Sequence, residues 1–290
     1  MFEIAQIDAR IRHRENDFDD FAVQPLLPNR LSIEGPPLAT GDLNGDGVDD
    51  IVLGGAAGQI TGVWLRSETG FDPARADAFR SARASEDTAL ELFDVDGDGD
   101  LDLYVVSGGY EFEVEAAELA DRLYLNDGRG GFSLAAGGVL PEARESGGCA
   151  CASDYDGDGD LDLFVGGRQV PGRYPEMPRS RLLRNDSSAS AVKFTDQTES
   201  DASGLSAVGL ATAALWSDFD GDGDADLIVA CEWGPVALFR NDGGKLVGAT
   251  DEVGLAGRSG WWRGLAAADF DGDGDMDLAA GNFGLNSKYH

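Results

Sequence analysis

One nine-residue pattern occurs five times and decides what this chain can become. It reads Asp-x-[Asp/Asn]-x-Asp-Gly-x-x-Asp and starts at Asp42, Asp94, Asp154, Asp218 and Asp269. Positions 1, 3 and 5 put three oxygen side chains on one side of a tight turn. Gly at position 6 turns the backbone where a Cβ would clash. The carbonyl at position 7 and the Asp at position 9 then close a cage. The candidate ligands are Asp42, Asn44, Asp46, Val48 (through its carbonyl) and Asp50 in the first copy. They are Asp94, Asp96, Asp98, Asp100 and Asp102 in the second, and Asp154, Asp156, Asp158, Asp160 and Asp162 in the third. The fourth offers Asp218, Asp220, Asp222, Asp224 and Asp226, and the fifth Asp269, Asp271, Asp273, Asp275 and Asp277. An all-oxygen set with several carboxylates suits Ca²⁺ better than a transition metal. Mg²⁺ fits less well, because it demands a strict octahedron and keeps its waters. Up to five Ca²⁺ ions are expected.

The loops are not framed by helices. A helix-framed calcium loop needs a bidentate Glu at position 12. Here position 12 is Leu53, Val105, Val165, Val229 and Ala280. The residues after the loops, such as Ile51-Val52-Leu53 and Leu227-Ile228-Val229, are short apolar runs of buried-strand type. Each loop therefore reads as a hairpin turn between two strands.

The loops start roughly 51–64 residues apart, which signals a repeat architecture. Each period holds a small-residue strand before the loop, as in Cys149-Ala150-Cys151-Ala152-Ser153, and the apolar strand after it. A third strand ends in a polar turn at Asn126-Asp127-Gly128, Asn185-Asp186 and Asn241-Asp242-Gly243, read as hairpin chemistry. A fourth, less regular strand is expected near Phe132, Phe194 and Leu246. Four antiparallel strands per repeat, stacked around an axis, describe a propeller blade. The expected fold class is all-β, a β-propeller of four-stranded antiparallel blades. Its repeats run at about 33–80, 81–143, 144–207, 208–258 and 259–290, after a lead-in at 1–32.

The unit from Gly41 to Gly55 carries Gly-Asp-x-Asn-Gly-Asp-Gly-x-x-Asp, three apolar residues and Gly-Gly. It resembles the FG-GAP or VCBS repeat, which builds the calcium-binding propeller of integrin α subunits and of many bacterial surface proteins. The resemblance covers about residues 33–290. His13-Arg14-Glu15-Asn16, Gln24-Pro25-Leu26-Leu27-Pro28 and Gly35-Pro36 also look like the approach to a repeat in bacterial members. The resemblance implies the fold and the calcium sites, and no single activity. It also implies seven blades, whereas five loops are present, and the fifth repeat has no room for its third and fourth strands. Residues 1–30 are one source for them, with strands at Phe2–Ile7 and near Phe18–Val23. The alternative, which the abrupt end at Lys288-Tyr289-His290 and the lack of a visible signal peptide favour, is a piece of a larger propeller.

Net charge is −32, much of it in the loops. That argues against nucleic acid as a partner, since phosphates need a basic surface, and against unassisted binding to anionic lipid. No apolar run is long enough to span a membrane. Cys149, Cys151 and Cys231 read as small buried residues, not as a disulfide or metal pair.

In an up-and-down blade the long connections share the face opposite the loops. They carry Tyr110, Glu111, Arg168, Arg173, Tyr174, Trp233, Trp261, Trp262 and Arg263, the ingredients of a recognition surface for a protein or glycan. Trp216, inside a first strand, is expected to pack in the core. Val114–Leu119 has helical composition. Only His13 and His290 are available as histidines, and no nucleophile elbow, phosphate loop or zinc-type set is present, so no enzyme activity is expected. The leading expectation is a calcium-stabilised binding or adhesion module that is extracellular, at the cell surface or periplasmic. The alternatives are a carbohydrate-binding or polysaccharide-active propeller, and a scaffold domain of a longer secreted protein.

Overall fold

Short apolar and small-residue runs bounded by Asp/Gly turns form strands throughout the chain. The computed structural model describes residues 10–188 and 191–284. The strand expected at Phe2–Ile7, the C-terminal Lys288-Tyr289-His290 and thus His290 lie outside these. Sheet I contains β1 (Leu38–Gly41), β2 (Asp50–Leu53), β3 (Gly62–Ser67) and β4 (Gly70–Pro73) in that order. Sheet II contains β5 (Glu86–Phe93), β6 (Asp102–Gly108), β7 (Arg122–Leu125) and β8 (Ser133–Leu134). Sheet III contains β9 (Ser146–Ser153), β10 (Asp162–Gln169), β11 (Arg181–Asn185) and β12 (Phe194–Asp196). Sheet IV contains β13 (Leu210–Ser217), β14 (Asp226–Gly234), β15 (Val236–Asn241) and β16 (Leu246–Gly248). Sheet V is the hairpin of β17 (Gly260–Ala268) and β18 (Asp277–Asn282). It also joins β14 through Glu232 opposite Trp261 and Gly234 opposite Gly260. All pairings are antiparallel.

The first strands of successive sheets lie side by side, β1 against β5, β5 against β9, β9 against β13 and β13 against β17. Small side chains permit this approach. The second strand of one sheet also nears the first strand of the next: a Cβ on Gly108 of β6 would stand 2.6 Å from the carbonyl oxygen of Gly147 in β9. The sheets then pack face to face, and the second strands of sheets II to IV are buried on both faces, which is why they read as unbroken apolar runs. Leu103 and Val105 of β6 pack toward sheet I with Val52, Val63 and Phe79. Tyr104 and Val106 of the same strand pack toward sheet III with Leu163, Val165 and Leu183. Phe164 packs with Leu227 and Val229 between sheets III and IV, and Ile228 packs with Trp262, Leu265 and Ala280 beside sheet V. The outer side of sheet V is open among the described residues, with Leu278 and Met276 exposed.

Residues 10–37 hold no strand. Where a strand was expected near Phe18–Val23, the chain forms one helical turn, Asp20–Val23, capped by Asp19. The cause is Asp20. Its buried carboxylate accepts the backbone N–H groups of Leu31 and Ser32 and the Ser32 hydroxyl, folding the segment onto itself. The segment then crosses the end of the sheets opposite the loops. Leu27 and Leu31 pack there on Tyr110, Tyr174 and Leu210. The stretch of helical composition at Val114–Leu119 contains a single 3-10 turn, Ala117–Leu119. The three cysteines are free; Cys149 and Cys231 are buried and Cys151 packs against the same core. Trp216 also packs in that core and donates Nε1–H to the Cys151 carbonyl at 3.2 Å.

Candidate metal centres on the hairpin loops

Every loop joins a first strand to a second, and position 9 closes it. Asp50, Asp102, Asp162, Asp226 and Asp277 each stand in register with the residue that precedes position 1. Two backbone features build the turn. Glycines at positions 4 and 6 both have positive φ, for example 76° and 82° at Gly45 and Gly47, and 76° and 100° at Gly221 and Gly223. The position 4 glycine belongs to the repeat unit from Gly41 to Gly55, and all five copies carry it. The position 1 carboxylate accepts the N–H groups of both, at 2.8 and 2.7 Å for Asp42. This wraps the turn around position 1.

Position 5 has a similar local duty. Asp46, Asp98, Asp158, Asp222 and Asp273 each accept the N–H of position 7 through Oδ1. At position 7, Val48 carries no donor atom in its side chain, which leaves only its carbonyl for a ligand role; Asp100, Asp160, Asp224 and Asp275 fill that position in the other copies. Position 9 ties the loop to the sheet. Asp162 Oδ2 accepts the Tyr155 N–H and Oδ1 accepts the Asn185 N–H of β11, at 3.2 and 2.7 Å. Asp50, Asp102 and Asp226 do the same with Leu43 and Arg66, Val95 and Asn126, and Phe219 and Asn241.

The carboxylates converge. Asp94, Asp96 and Asp102 offer oxygens within 4.8 Å of one another, as do Asp154, Asp156 and Asp162, and Asp218, Asp220 and Asp226. In the fifth loop the converging set is Asp269, Asp271 and Asp273. The first loop has Asn44 at position 3 and forms no such trio of carboxylates. Two details fit a cation at these points. Oδ1 of Asp96 and of Asp156 is buried with no hydrogen-bond partner. And burial, opposed by their backbone hydrogen bonds, pushes Asp102 and Asp162 up to about 6 and about 7. A buried carboxylate with no cation beside it resists ionisation, and a divalent ion removes that penalty. The donor atoms are all oxygens, a set suited to a hard cation.

The sequence reading missed one recurring side chain. Asn126, Asn185 and Asn241 end the third strands and were read as turn formers. Their Oδ1 atoms do serve the turns, accepting the N–H groups of Asp127, Ser187 and Gly244, and their amides also bridge sheets. Asn185 Nδ2 donates to Leu161 O of its own loop at 3.2 Å and to Val95 O of the preceding loop at 2.9 Å. Asn126 joins Leu101 O to Leu43 O, and Asn241 joins Ala225 O to Tyr155 O. The signal was present as an Asn at the end of three successive third strands.

The opposite face differs from expectation. Tyr110, Arg168 and Tyr174 are buried beneath the N-terminal segment, so they offer no free surface there. Arg168 pairs with Glu34 of that segment and with Glu232 of β14. Glu34 also pairs with Arg263 at 2.9 Å, and although burial opposes it, Arg168 and Arg263 hold its carboxyl below the usual range. Around this network each first strand from β5 on carries a bulge, at Thr88, Gly148, Thr212 and Arg263, and the four line a cavity of ≈ 250 Å³ with Glu34 and Arg168. Glu111 is half-buried, and Arg173 is exposed beside Glu176. Trp233 is 54% exposed, at φ 62°, and rests on Trp261, whose ring also meets Phe283 and Arg263. Trp262 turns the other way, into the core beside sheet V.

Two solved structures are similar over most of this chain. One is an Agrocybe aegerita lectin that recognises non-reducing terminal N-acetylglucosamine (TM-score 0.49, 18% identity, 86% of this chain and 60% of that one). The other is the exotype rhamnogalacturonan lyase YesX (TM-score 0.49, 14% identity, 85% of this chain and 44% of that one). The chain thus spans less than two thirds of the length of either. No curated protein sequence matches it. A family model for FG-GAP-like repeats matches at residues 42–105, 94–165 and 218–280, more than half of the chain. Each matched segment begins at position 1 of a loop and ends at position 12 of a loop, so the match rests on the hairpins just described, and the chain belongs to the FG-GAP-like repeat family.

Proposed function

We propose that this chain is a calcium-stabilised β-propeller that serves as a binding module. The side-by-side first strands and face-to-face sheets support a propeller. The observation that carries the calcium reading is the buried, unpartnered Oδ1 of Asp96 and Asp156 beside the carboxylates of positions 1 and 9. Calcium neutralises each cluster and welds the first two strands of its sheet. The reading places the module at the cell surface, outside the cell or in the periplasm, because millimolar calcium matches extracellular sites of modest affinity. The carboxylates serve the loops, so the reading assigns no catalysis. The test is a count of bound ions after equilibration with Ca²⁺: several per chain are expected, with a loss of one in Asp156→Ala. A chain that retains no Ca²⁺ overturns the reading.

A glycan ligand is favoured over a flat protein surface by Trp233. Its indole is exposed, stands on Trp261, and donates Nε1–H to the Tyr174 hydroxyl, which itself donates to Glu232. A non-glycine residue at positive φ persists where its surroundings enforce it, and such residues cluster at functional sites. A rigid, exposed indole is suited to stacking on a sugar ring. Glycan-array binding that disappears in Trp233→Ala is the expected result; a blank array at high protein concentration counts against it.

A further inference from the structure

A different polar cluster lies away from the loops, where the N-terminal segment meets sheets I and II. His13 Nδ1 is 3.0 Å from the Gly54 carbonyl. A carbonyl only accepts, so Nδ1 carries the proton, and Nε2 faces Glu15 Oε1 at 2.9 Å. Ligand atoms of His13, Glu15 and Glu86 all lie within 4.8 Å of one another. Glu86, the first residue of β5, is 2% exposed. One of its oxygens accepts the Ala57 N–H at 2.6 Å, while Oε1 is buried with no partner. Glu15 Oε2 and Asn16 Oδ1 are buried and unpartnered too. Asn16 Nδ2 donates to Glu111 at 3.1 Å and so brings a third carboxylate near. Among the described residues no Lys or Arg pairs with Glu15, Glu86 or Glu111; Arg122 is spent on Asp87 at 2.7 Å.

Unpaired buried acceptors cost free energy, and a carboxylate costs more than an amide. Here one carboxylate oxygen each from Glu15 and Glu86 comes within 4.8 Å of an imidazole nitrogen of His13. We infer that His13, Glu15 and Glu86 form a site for a divalent first-row transition ion such as Zn²⁺, separate from the Asp loops. The donor chemistry separates the two kinds of site. The loops offer only oxygen, whereas this cluster adds an imidazole nitrogen, which suits zinc and its neighbours. The Nδ1–H bond to a backbone carbonyl is the outer contact that orients a metal-binding histidine. Four ligands at about 2.0–2.2 Å in a tetrahedron stand roughly 3.3–3.6 Å from each other, inside the observed spread. Glu15 and Asn16 also line an open cleft with Gln59 and with Arg14, Arg80 and Arg83, so the cluster lies beside solvent, next to cationic side chains. Bound there, the ion staples residues 10–37 to the first two sheets and fixes the segment that covers the face opposite the loops.

The test uses the full chain, stripped with chelator and returned to millimolar Ca²⁺ so that oxygen-only sites are satisfied. Zn²⁺ is then titrated by calorimetry. One equivalent per chain is expected for the wild type and none for His13→Gln or Glu86→Gln, with circular dichroism unchanged. Wild type that takes up no Zn²⁺, or both variants binding it like wild type, overturns the inference. Should Glu86→Gln not fold, Glu15→Gln replaces it, read through the visible bands of Co²⁺. Loss of the tetrahedral Co²⁺ spectrum in that variant supports the site, and an unchanged spectrum contradicts it.

Discussion

Asn185→Ala isolates the bridge between neighbouring loops. Asn185 is 1% exposed, and its Nδ2 donates to Val95 O at 2.9 Å and Leu161 O at 3.2 Å. Its Oδ1 accepts the Ser187 N–H at 3.0 Å. Truncation removes all three bonds. The backbone N–H to Asp162 survives, so the loop of sheet III keeps its closing contact. Each buried group left without a partner costs roughly 1–3 kcal/mol. With two carbonyls and one N–H affected, and some reached by water, the loss is about 2–4 kcal/mol. For a chain of this size that lowers Tm by roughly 4–12 °C. Asn185→Asp sharpens the reasoning. It keeps the volume but turns an acceptor toward two carbonyls beside Asp162, so it is expected to cost at least as much as Ala. Thermal melts of the three proteins in the same Ca²⁺ concentration decide it. Wild-type stability in either variant, or an Asp variant clearly milder than Ala, refutes the bridge and leaves Asn185 as a turn former.

Two further outcomes follow from buried charge. Arg168→Met leaves Glu34 and Glu232 facing one another with only Arg263 nearby, at a cost of about 3–5 kcal/mol; limited proteolysis is expected to cut within residues 10–37 before any sheet, and cleavage at wild-type rate contradicts the role given to this pair. Glu91 of β5 is pushed up to about 7, mainly by burial, against the lowering effect of the Ala152 N–H. The folded chain therefore holds a proton that the unfolded chain releases, and the stability this group contributes falls as pH rises from about 4.5 to about 7. The difference in stability between wild type and Glu91→Gln is expected to shift against the wild type by about 1–3 kcal/mol across that window; parallel pH profiles for the two proteins remove the basis of this prediction.

Physical locality explains what the sequence made legible. Second strands such as Leu163-Phe164-Val165 are buried on both faces, so their apolar run announces them. The loops are local as well: position 1 accepts N–H groups three and five residues ahead, and repetition amplifies the pattern. Contacts between distant segments left no such mark. Nothing around Asn185 points to Val95, ninety residues earlier. Asp20 has no local partner in sequence, yet it is buried and, through Leu31 and Ser32, organises the turn that stands where a strand was expected. Tyr110 and Tyr174 looked like ligand contacts because aromatic residues on long connections often are, and the N-terminal segment claimed them first. His13, Glu15 and Glu86 became a cluster only when the segment met β5.

Ions in the Asp loops are proposed to hold the hairpins together. Melting the protein in chelator and in increasing free Ca²⁺ tests it most directly. A ligand bound only by the folded state stabilises by RT ln(1 + [L]/Kd) per site, about 2.7 kcal/mol at one hundred times Kd. With several sites, Tm is expected to climb steeply with Ca²⁺ and to do so less in Asp156→Ala. A melting curve that is the same in chelator and in saturating Ca²⁺ contradicts it.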